Sequence, residues 1–386
     1  MQSNILKTAM QRNNIKIREN WAEKVEKLGF NFHTIEGAYW DESAYYAFSA
    51  QEIEQIEAAT SELWEMCLRA VDYVIEQNLF SKFNIPQWFV PHIIRSWEED
   101  DPAIYGRFDF SLRDGQLKLL EFNADTPTSL FEASIVQWFW LNDCFPKNDQ
   151  FNSIHEKLVA YWAYLKPFLH EEKIQFSCVR ESNEDFTTTA YLRDCAIQGG
   201  LETNFLYIDE IAWDTTYQVF LDDTNEPIRN IFKLYPYEWL INEDFGKNIV
   251  SDKAEAYWIE PSWKMILSNK AILPVLWELF PYHQNLLKCY FDAPKDLISW
   301  CEKPILSREG ANVKLVKNGK IIAATEGEYG EEGFIYQDLF ELPKFEENYA
   351  LIGSWIIGQE AAGIGIRESK SSITDNGSRF VPHIIL

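Results

Sequence analysis

The stretch YGRFDFSLRDGQLKLLEFNADTPTSLFEAS, residues 105–134, decides how the functional part of this chain folds. Two short runs within it, FDFSL and LKLLEFN, are rich in aromatic residues and leucine, and Arg113-Asp114-Gly115 separates them. A three-residue loop that ends in Gly suits a type I turn followed by a residue in the left-handed conformation. The pattern therefore predicts a β-hairpin with a three-residue loop.

The polar residues of this hairpin predict a cation site. The predicted register pairs Arg107 with Glu121 and Asp109 with Leu119. Because side chains alternate across a strand, Arg107, Asp109, Glu121 and Asn123 then share one face. Two carboxylates and an amide carbonyl form a hard-oxygen site of the kind that Mg²⁺ takes. An arginine on the same face can clamp a phosphoryl group or stabilise negative charge that develops there.

Two alternatives to this interpretation remain open from the pattern alone. Carboxylates on one face of a strand are commonly the solvated side of a half-buried sheet. Against this, the predicted register puts Leu117 and Leu119 on the polar face, so that face is not simply solvent. A two-residue loop would shift the pairing and place Asp109 and Glu121 on opposite faces of the sheet.

Composition narrows the class of protein. A chain of 386 residues with 46% hydrophobic residues is long and apolar enough for a large core in two or three packed lobes. A formal net charge of −25 argues against nucleic acid as a partner and favours cations, including polyamines, although solubility alone also explains it. Six scattered cysteines, the lack of a signal peptide and the lack of a run of about 20 apolar residues predict a cytoplasmic protein without a membrane partner.

The first two thirds of the chain predict helices and a parallel sheet. Ser49-Ala-Gln-Glu52 is a capping-box sequence, and apolar residues follow it at helical spacing to about residue 77. Thr128–Leu141 predicts a buried helix. Residues 173–210 predict a βαβ unit whose acidic loop, Glu181–Asp185, lies at the carboxyl end of a strand, where ligands of open α/β sheets bind. Asn230–Tyr235 predicts a further strand.

The last third predicts a helix and a flap. Asn269 is expected to cap a helix that carries Lys270 in its first turn, and Lys303–Leu306 predicts a strand. The small-residue turn Ser307–Asn312 leads into a hairpin with an Asn318-Gly319 turn. Such a flap can lie over phosphates through its backbone N–H groups. The chain contains neither a GxxxxGK[ST] loop nor a GxGxxG motif.

Six segments in order carry a family resemblance: YGRFDF, LLEFNADTPTS, PSWKMILSNKAILPVLWELFP, KPILSREGANV, YQDLFELP and GIGIRES. They resemble the glutathionylspermidine synthetase family, an ATP-grasp group of acid–amine ligases that includes trypanothione synthetase. The match is best with its short bacterial members, which are named only as acid–amine ligases. It runs from about residue 20 to the C-terminus. This chain is expected to begin directly with the synthetase part and to lack the amidase domain of the bifunctional enzymes.

The resemblance implies an α/β fold of the ATP-grasp type with α+β lobes. It implies one module over residues 1–386, divided into four parts. These are a mainly helical scaffold (1–100), the metal-binding hairpin and helix (101–145), an α/β substrate region (146–260), and a nucleotide-binding lobe with the C-terminal strands (261–386).

The resemblance also implies roles for individual residues. Mg²⁺ would be held by Asp109, Glu121 and Asn123, and Arg107 would stabilise the transferring phosphoryl group. The remaining positions would contact ATP. Lys270 and Lys303 would be the two ATP-binding lysines, Gln337 and Leu351 would line the adenine and ribose, and Arg308 and Arg367 would face the phosphates.

In this resemblance, the family's glutathione-binding positions are matched only loosely. Thr126 replaces a serine-like position, and the loop that contains Glu184 aligns only approximately. Trp239, next to Glu238, stands where a small hydroxyl residue is expected. We therefore take Thr126, Glu184 and Glu238 as the candidate substrate residues without assigning glutathione itself as the acid.

The predicted function is that of an ATP- and Mg²⁺-dependent ligase. It would form an amide bond between a peptide- or glutathione-like carboxylate and an amine, with a polyamine as a candidate, through an acyl phosphate. One alternative is a non-catalytic protein that binds ATP or a polyamine. Another is an ATP-grasp ligase that acts on an amino acid or peptide.

Overall fold

The computed structural model describes residues 10–34, 37–374 and 377–386. Its α-helices are α1 (Trp21–Glu26), α2 (Ala50–Glu76), α3 (Val90–Glu98), α4 (Gln137–Cys144), α5 (Ile154–Leu165), α6 (Asn183–Gln198), α7 (Tyr237–Leu240), α8 (Lys264–Ser268) and α9 (Ile272–Leu279). Its strands are β1 (Gln11–Asn14), β2 (Ala44–Phe48), β3 (Tyr105–Arg113), β4 (Gln116–Asn123), β5 (Lys173–Cys178), β6 (Glu202–Phe205), β7 (Ala212–Asp214), β8 (Val219–Leu221), β9 (Asn230–Leu234), β10 (Tyr257–Ile259), β11 (Cys289–Phe291), β12 (Trp300–Pro304), β13 (Lys314–Lys317), β14 (Lys320–Ala324), β15 (Phe334–Asp338), β16 (Lys344–Phe345), β17 (Asn348–Ile357), β18 (Glu360–Ser369), β19 (Arg379–Val381) and β20 (His383–Ile385).

Three larger sheets organise the molecule. An antiparallel sheet has the order β19-β18-β17-β3-β4, with β16 paired to β17, so the predicted hairpin shares a sheet with the C-terminal strands. A second antiparallel sheet has the order β11-β15-β12-β13-β14, and a parallel sheet has the order β10-β9-β5-β6. These sheets pair strands that are far apart in the sequence, and helices lie near them. This combination of sheets and helices is that of the predicted α/β class.

Several predicted elements are confirmed. The helix predicted over about 50–77 is α2, whose capping box is present because Ser49 Oγ accepts from Glu52 N and the Glu52 carboxylate accepts from Ser49 N. The βαβ unit is β5, α6 and β6, with the two strands parallel. The turn at Asn318-Gly319 is also confirmed, with φ of 51° and 73°.

The predicted loop of the β3–β4 hairpin is wrong. Arg113 pairs with Gln116, so the loop has two residues, Asp114 and Gly115. Both adopt positive φ, 53° and 75°, as a type I′ turn requires. An Asp in the first position tolerates this conformation because its short polar side chain can bond locally. The turn therefore begins one residue later than the sequence pattern suggested.

A β-bulge in β4 nevertheless brings the polar residues onto one face. Phe110 pairs with Leu119 and Asp109 with Glu121, so Leu120 is the extra residue between the two pairs. A regular ladder from the two-residue turn would have placed Asp109 opposite Leu120. The shared polar face is thus present, although the predicted pairs, Arg107 with Glu121 and Asp109 with Leu119, are wrong.

The two-residue turn also overturns two smaller predictions about the polar face. Leu117 pairs with Leu112 and Leu119 with Phe110, all buried on the apolar side of the hairpin. They do not share the polar face as predicted.

The helices near the site differ in detail from prediction. The segment predicted as a helix over Thr128–Leu141 contains a π-helical turn, Glu132–Val136, and then α4. Lys270 does not lie in the first turn of a helix. Asn269 Oδ1 accepts from the N–H of Ala271, and Lys270 lies in the short link between α8 and α9. Within the ranges described, none of the helices combines the length and the apolarity needed to cross a bilayer.

Candidate active site

The candidate site lies on the polar face of the sheet that contains β3, β4, β17 and β18. Gly353 of β17 is opposite Asp109, and Leu351, two residues earlier, is opposite Arg367 of β18. Residues two apart on a strand point to the same side. The structure therefore places Leu351 and Arg367 on the face that carries Arg107, Asp109, Glu121 and Asn123.

Arg107 is fixed by its neighbours in this face. Its Nε and Nη2 donate to the two carboxylate oxygens of Asp109 at 2.7 and 3.0 Å, and its Nη1 donates to the carbonyl of Thr128 at 2.8 Å. Burial alone would lower the pKa of the guanidinium, but Asp109 raises it above the ordinary value. Arg107 is thus a permanent, oriented positive charge.

Two carboxylates and an amide converge beside this arginine. Asn123 Nδ2 lies 3.2 Å from Asp109 Oδ2 and 3.4 Å from Glu121 Oε1. Burial raises the pKa of Asp109. Burial would also raise the pKa of Glu121, but Lys270, Lys303 and Arg107 together lower it to about 2. Glu121 is therefore ionised at neutral pH.

This donor set fits a hard divalent cation. The Asn123 amide nitrogen lies between the two carboxylates, and rotating the amide by half a turn would direct its oxygen there instead. Mg²⁺ is commonly held by one or two carboxylates and completed by water and phosphate oxygens. In the part of the chain that the structure describes, no cluster of three or more His, Cys, Asp or Glu suits a metal. Asp109, Glu121 and Asn123 are the candidate ligands on the polar face.

Two lysines from outside this sheet reach the edge strand β4. Lys270 Nζ lies 3.4 Å from Glu121 Oε2 and donates to the carbonyl of Ser307 at 2.9 Å. Lys303 Nζ donates to the Leu120 carbonyl and to Gln337 Oε1, both at 2.8 Å. The structure therefore brings Lys270, Lys303 and Gln337 close to β4, which carries Glu121.

Arg308 lies among the candidate substrate residues. Its Nη2 donates to Thr126 Oγ1 at 2.9 Å and to Glu238 Oε1 at 3.1 Å, and its guanidinium carbon lies 5.2 Å from the centroid of the Trp239 ring. A cavity of about 530 Å³ opens here, lined by Trp239, Arg308, Glu309, Gly310, Ala311, Thr325, Glu326 and Tyr329. Arg308, which lines this cavity, thus contacts both Thr126 and Glu238.

Arg367 and Glu184 lie near a second group of polar residues, which includes Ser129 and Glu132. Arg367 Nη1 donates to Ser129 Oγ at 3.2 Å, and the hydroxyl of Tyr39 lies 3.1 Å from the same oxygen. That hydroxyl also donates to Glu132 Oε1 at 2.6 Å. Burial, followed by the nearby Glu184 carboxylate, raises the pKa of Glu132 to about 7. The structure therefore places Glu184 near Glu132.

Comparison with known proteins decides the family. The family model for glutathionylspermidine synthase preATP-grasp matches residues 12–386. The chain belongs to this family. Its members are synthetases, ligases that form C–N bonds, so the predicted enzyme class and fold class are confirmed.

Relatives of the synthetase differ in length. It is 39% identical over 382 residues to the "Putative acid–amine ligase" of Haemophilus influenzae. This match covers 95% of the present chain and 97% of the relative. It is 31% identical to trypanothione synthetase of Crithidia fasciculata, over 77% of this chain and 50% of that one. It is 28% identical to the bifunctional glutathionylspermidine synthetase/amidase of Escherichia coli, over 89% and 59%. The chain thus spans only half to three fifths of the last two proteins.

The sequence did not reveal a buried ion pair next to the candidate substrate residues Thr126 and Glu238. Lys233 Nζ donates to Asp125 Oδ1 at 2.8 Å and to the Tyr235 carbonyl at 2.9 Å, with the two charged side chains 0% and 2% exposed. Asp125 Oδ2 accepts the N–H of Tyr237 at 3.1 Å. The pair fixes the chain just before both Thr126 and Glu238. Its one signal is a lysine inside the apolar strand sequence NIFKLY.

Tyr39 and Glu132 were also missed. Tyr39 lies outside the helices and strands, ahead of β2, and its contacts with Ser129 and Glu132 span 90 and 93 residues. No local pattern could have found them.

Gly353 should be needed for the position of Arg107 in this synthetase. A Cβ at residue 353 would lie 2.8 Å from Arg107 Cδ, closer than van der Waals contact allows. We expect Gly353→Ala to displace the guanidinium and to lower kcat at least about tenfold, because catalytic geometry tolerates little displacement. The check is steady-state ADP release together with the thermal unfolding temperature. The control is Ser354→Ala, whose side chain points to the other face; equal effects of both variants on kcat would contradict the argument.

Proposed function

We propose that this synthetase is an ATP- and Mg²⁺-dependent ligase that joins a carboxylate to an amine through an acyl phosphate. The observation that carries the proposal is the convergence of Arg107, Asp109, Glu121 and Asn123 on one face, beside Lys270 and Lys303. Phosphoryl transfer needs little covalent chemistry from a protein; it needs positioning and positive charge around the γ-phosphate. These residues supply both.

The carboxylates and the amide of the β3–β4 hairpin would hold the metal. Asp109, Glu121 and Asn123 are the residues that fit Mg²⁺, and the bound ion would offset the negative charge of the ATP phosphates. The low pKa of Glu121 supports this role, because its carboxylate stays ionised over the whole physiological range.

The basic residues would position the reacting groups. A substrate carboxylate oxygen attacks the γ-phosphorus, the bond to the β,γ-bridging oxygen breaks, and ADP leaves. Arg107 would stabilise the charge on the transferring group, while Lys270 and Lys303 would hold the nucleotide phosphates. The amine nitrogen then attacks the acyl carbon, phosphate leaves, and the nitrogen loses a proton to phosphate or solvent.

The flap would protect the acyl phosphate from water. Ser307–Asn312 lies beside Lys270, because the Ser307 carbonyl accepts from its Nζ. Gly310 adopts a φ of +69°, and a Cβ there would lie 2.4 Å from the carbonyl oxygen of Thr374. The flap is therefore packed closely against the chain near residue 374, a suitable arrangement for a lid that excludes water.

The substrates are proposed by class. The acid is peptide- or glutathione-like, in keeping with relatives named for glutathionylspermidine and trypanothione. The amine is a di- or polyamine, because the net charge of −25 and the carboxylates Glu184 and Glu238 favour a cation.

The test is ADP release with panels of acids and amines, followed by the mass of the product. We expect release to require Mg²⁺, an acid and an amine together, and the product to weigh the sum of the two substrates minus water. Binding of ATP without turnover for any pair would favour the non-catalytic alternative. Turnover only with an amino acid as the amine would favour an amino acid or peptide ligase.

Removing either lysine should weaken nucleotide binding. Each of Lys270→Ala and Lys303→Ala deletes a charge-assisted contact to phosphate, worth about 1.5–3 kcal/mol. This corresponds to roughly a 10- to 150-fold rise in Kd for a non-hydrolysable ATP analogue, measured by calorimetry. Lys317→Ala, half-exposed in the same sheet as Lys303, is the matched control. Unchanged Kd values in both variants would remove these lysines from the site.

A further inference from the structure

Tyr39, Ser129 and Glu132 form a buried network of hydrogen bonds. The guanidinium of Arg367 lies at one end of this network. We propose that Tyr39 and Ser129 are positioning residues for Arg367, which they hold on the polar face where the metal-bound nucleotide phosphates would lie. The inference rests on the proposed ligase function and deepens it by naming two residues through which nucleotide binding depends on Arg367.

The hydrogen bonds of the network follow one direction. The Tyr39 hydroxyl donates to Glu132 Oε1 at 2.6 Å, so its proton is not available to Ser129. The Ser129 hydroxyl therefore donates to the Tyr39 oxygen, which lies 3.1 Å away. Ser129 Oγ in turn accepts from Arg367 Nη1 at 3.2 Å. Each hydroxyl thus donates once and accepts once, and the network links a guanidinium to a carboxyl group.

The Glu132 end of the network is fixed to the strand β18. Glu132 is fully buried in the π-helical turn 132–136. A Cβ at Gly365 of β18 would lie 3.4 Å from the Cβ of Ala133, so the turn and the strand are in close contact. Gln137 Nε2 also donates to the carbonyl of Ile364 at 2.8 Å. Because turn and strand keep a fixed spacing, the network determines where the guanidinium at its other end lies.

Ser129 also connects the two arginines of the polar face. It adopts a φ of +66°, a left-handed conformation that is uncommon for residues other than glycine. The carbonyl of the preceding residue, Thr128, accepts from Arg107 Nη1 at 2.8 Å. Ser129 Oγ accepts from Arg367. Two adjacent residues of one turn therefore hold a guanidinium from β3 and a guanidinium from β18. Backbone conformations of this kind are concentrated at functional sites.

Arg367 faces the candidate metal ligands. It lies on the polar face, opposite Leu351 of β17. Burial raises the pKa of Asp109, and the positive charges of Arg107 and Arg367 oppose that rise. Arg367 therefore contributes to the electrostatic field in which a metal-bound phosphate would lie.

The network would make Arg367 a better phosphate ligand. An arginine side chain loses rotamer freedom when it binds a ligand, and this loss weakens binding. The hydrogen bond from Ser129 restricts that freedom in advance, and so does the ring of Tyr39, whose centroid lies 5.8 Å from the guanidinium carbon. Tyr39 would thus strengthen nucleotide binding through Arg367 rather than by its own contact.

Calorimetry with a non-hydrolysable ATP analogue and Mg²⁺ tests this role on the full chain. Tyr39→Phe removes the hydroxyl and keeps the ring, and we expect it to raise the Kd of the analogue about fivefold. Ser129→Ala should have an effect of similar size. The double variant should be no weaker than the weaker single variant, because one break already interrupts the network. Tyr45→Phe is the matched control: Tyr45 packs against Trp140 and Phe145, and its loss of a hydroxyl should leave the Kd unchanged.

A double-mutant cycle with Arg367→Ala separates positioning from a general structural role. The measurements are made at pH 8, above the pKa of about 7 of Glu132, so that its carboxylate is ionised. We expect Arg367→Ala to raise the Kd more than Tyr39→Phe does. Adding Tyr39→Phe to Arg367→Ala should then change the Kd by less than about 1.5-fold. An unchanged Kd in either single variant, or an equal factor from Tyr39→Phe in both backgrounds, would overturn the proposal.

Unfolding experiments distinguish failure of this proposal from failure of the proposed function. The calorimetric stoichiometry and the thermal unfolding temperatures show whether a change in Kd reflects misfolding. If the analogue does not bind the wild-type chain, the proposed ligase function fails, and urea unfolding decides the network separately. Tyr39→Phe should lower the urea midpoint more in the wild-type chain than in Arg367→Ala. Equal shifts in the two backgrounds would show that Tyr39 does not act on Arg367.

Discussion

Arg107→Ala is expected to lower kcat by about 1000-fold or more while the chain remains folded. An arginine that stabilises the charge of a transferring phosphoryl group is worth about 10³–10⁵ in rate, and a single electrostatic donor about 10²–10³. Asp109 and the Thr128 carbonyl orient the guanidinium of Arg107, so this positive charge is in position before the reaction begins. The measurement is single-turnover formation of ADP at saturating ATP.

The same substitution at the far end of the same strand is the control. Arg113 is half-exposed and pairs with Glu341 at 3.1 Å, six residues along β3 from Arg107. Arg113→Ala should change kcat by less than about twofold, since exposed ion pairs contribute about 0–1 kcal/mol to stability and this one touches no reacting group. A loss in Arg107→Ala no larger than that of Arg113→Ala would exclude Arg107 from phosphoryl transfer.

Lys233→Ala is expected to lower the free energy of unfolding by about 3–5 kcal/mol. Removing one partner of a buried ion pair leaves the other charge without compensation, and here Asp125 is only 2% exposed. The carbonyl of Tyr235 also loses its donor. Urea unfolding at neutral pH gives the value.

Lys247→Ala provides the contrast for this measurement. Lys247 pairs with Asp244, and their side chains are 49% and 101% exposed, so its loss should cost less than about 1 kcal/mol. If Lys233→Ala were equally mild, the Asp125 carboxylate would have to be satisfied by other groups or protonated. The role of the pair in fixing Thr126 and Glu238 would then be discarded.

Local chemistry was enough to predict several elements of the fold. The capping box at Ser49, the βαβ unit and the hairpin at Asn318-Gly319 each depend on residues close together in sequence. The register of the β3–β4 hairpin could not be predicted in the same way. Asp114 can occupy either turn type, and Leu119 and Leu120 are both apolar, so neither reveals which one is the bulged residue.

The candidate site shows the same difference between residues that are close in sequence and contacts that are distant in sequence. The shared face of Asp109, Glu121 and Asn123 was predictable because one hairpin holds them, and Lys270 and Lys303 became candidates because ordered motifs carry them. The partners of Arg308 were not foreseen, since its contacts with Thr126 and Glu238 span 182 and 70 residues. The ion pair of Lys233 was likewise not predicted, because an isolated lysine in an apolar strand does not indicate which carboxylate it pairs with.

The bulge at Leu120 does more than correct the pairing of two carboxylates. A β4 strand one residue shorter, without any irregularity, would also set Glu121 opposite Asp109. In a regular edge strand, however, successive carbonyls point to opposite sides. Here the carbonyls of Leu119 and Leu120 both accept from the neighbouring sheet, from Gln337 Nε2 at 3.1 Å and Lys303 Nζ at 2.8 Å. The extra residue therefore links two sheets through two consecutive carbonyls, and it couples the spacing of the candidate metal ligands on β4 to the position of Lys303.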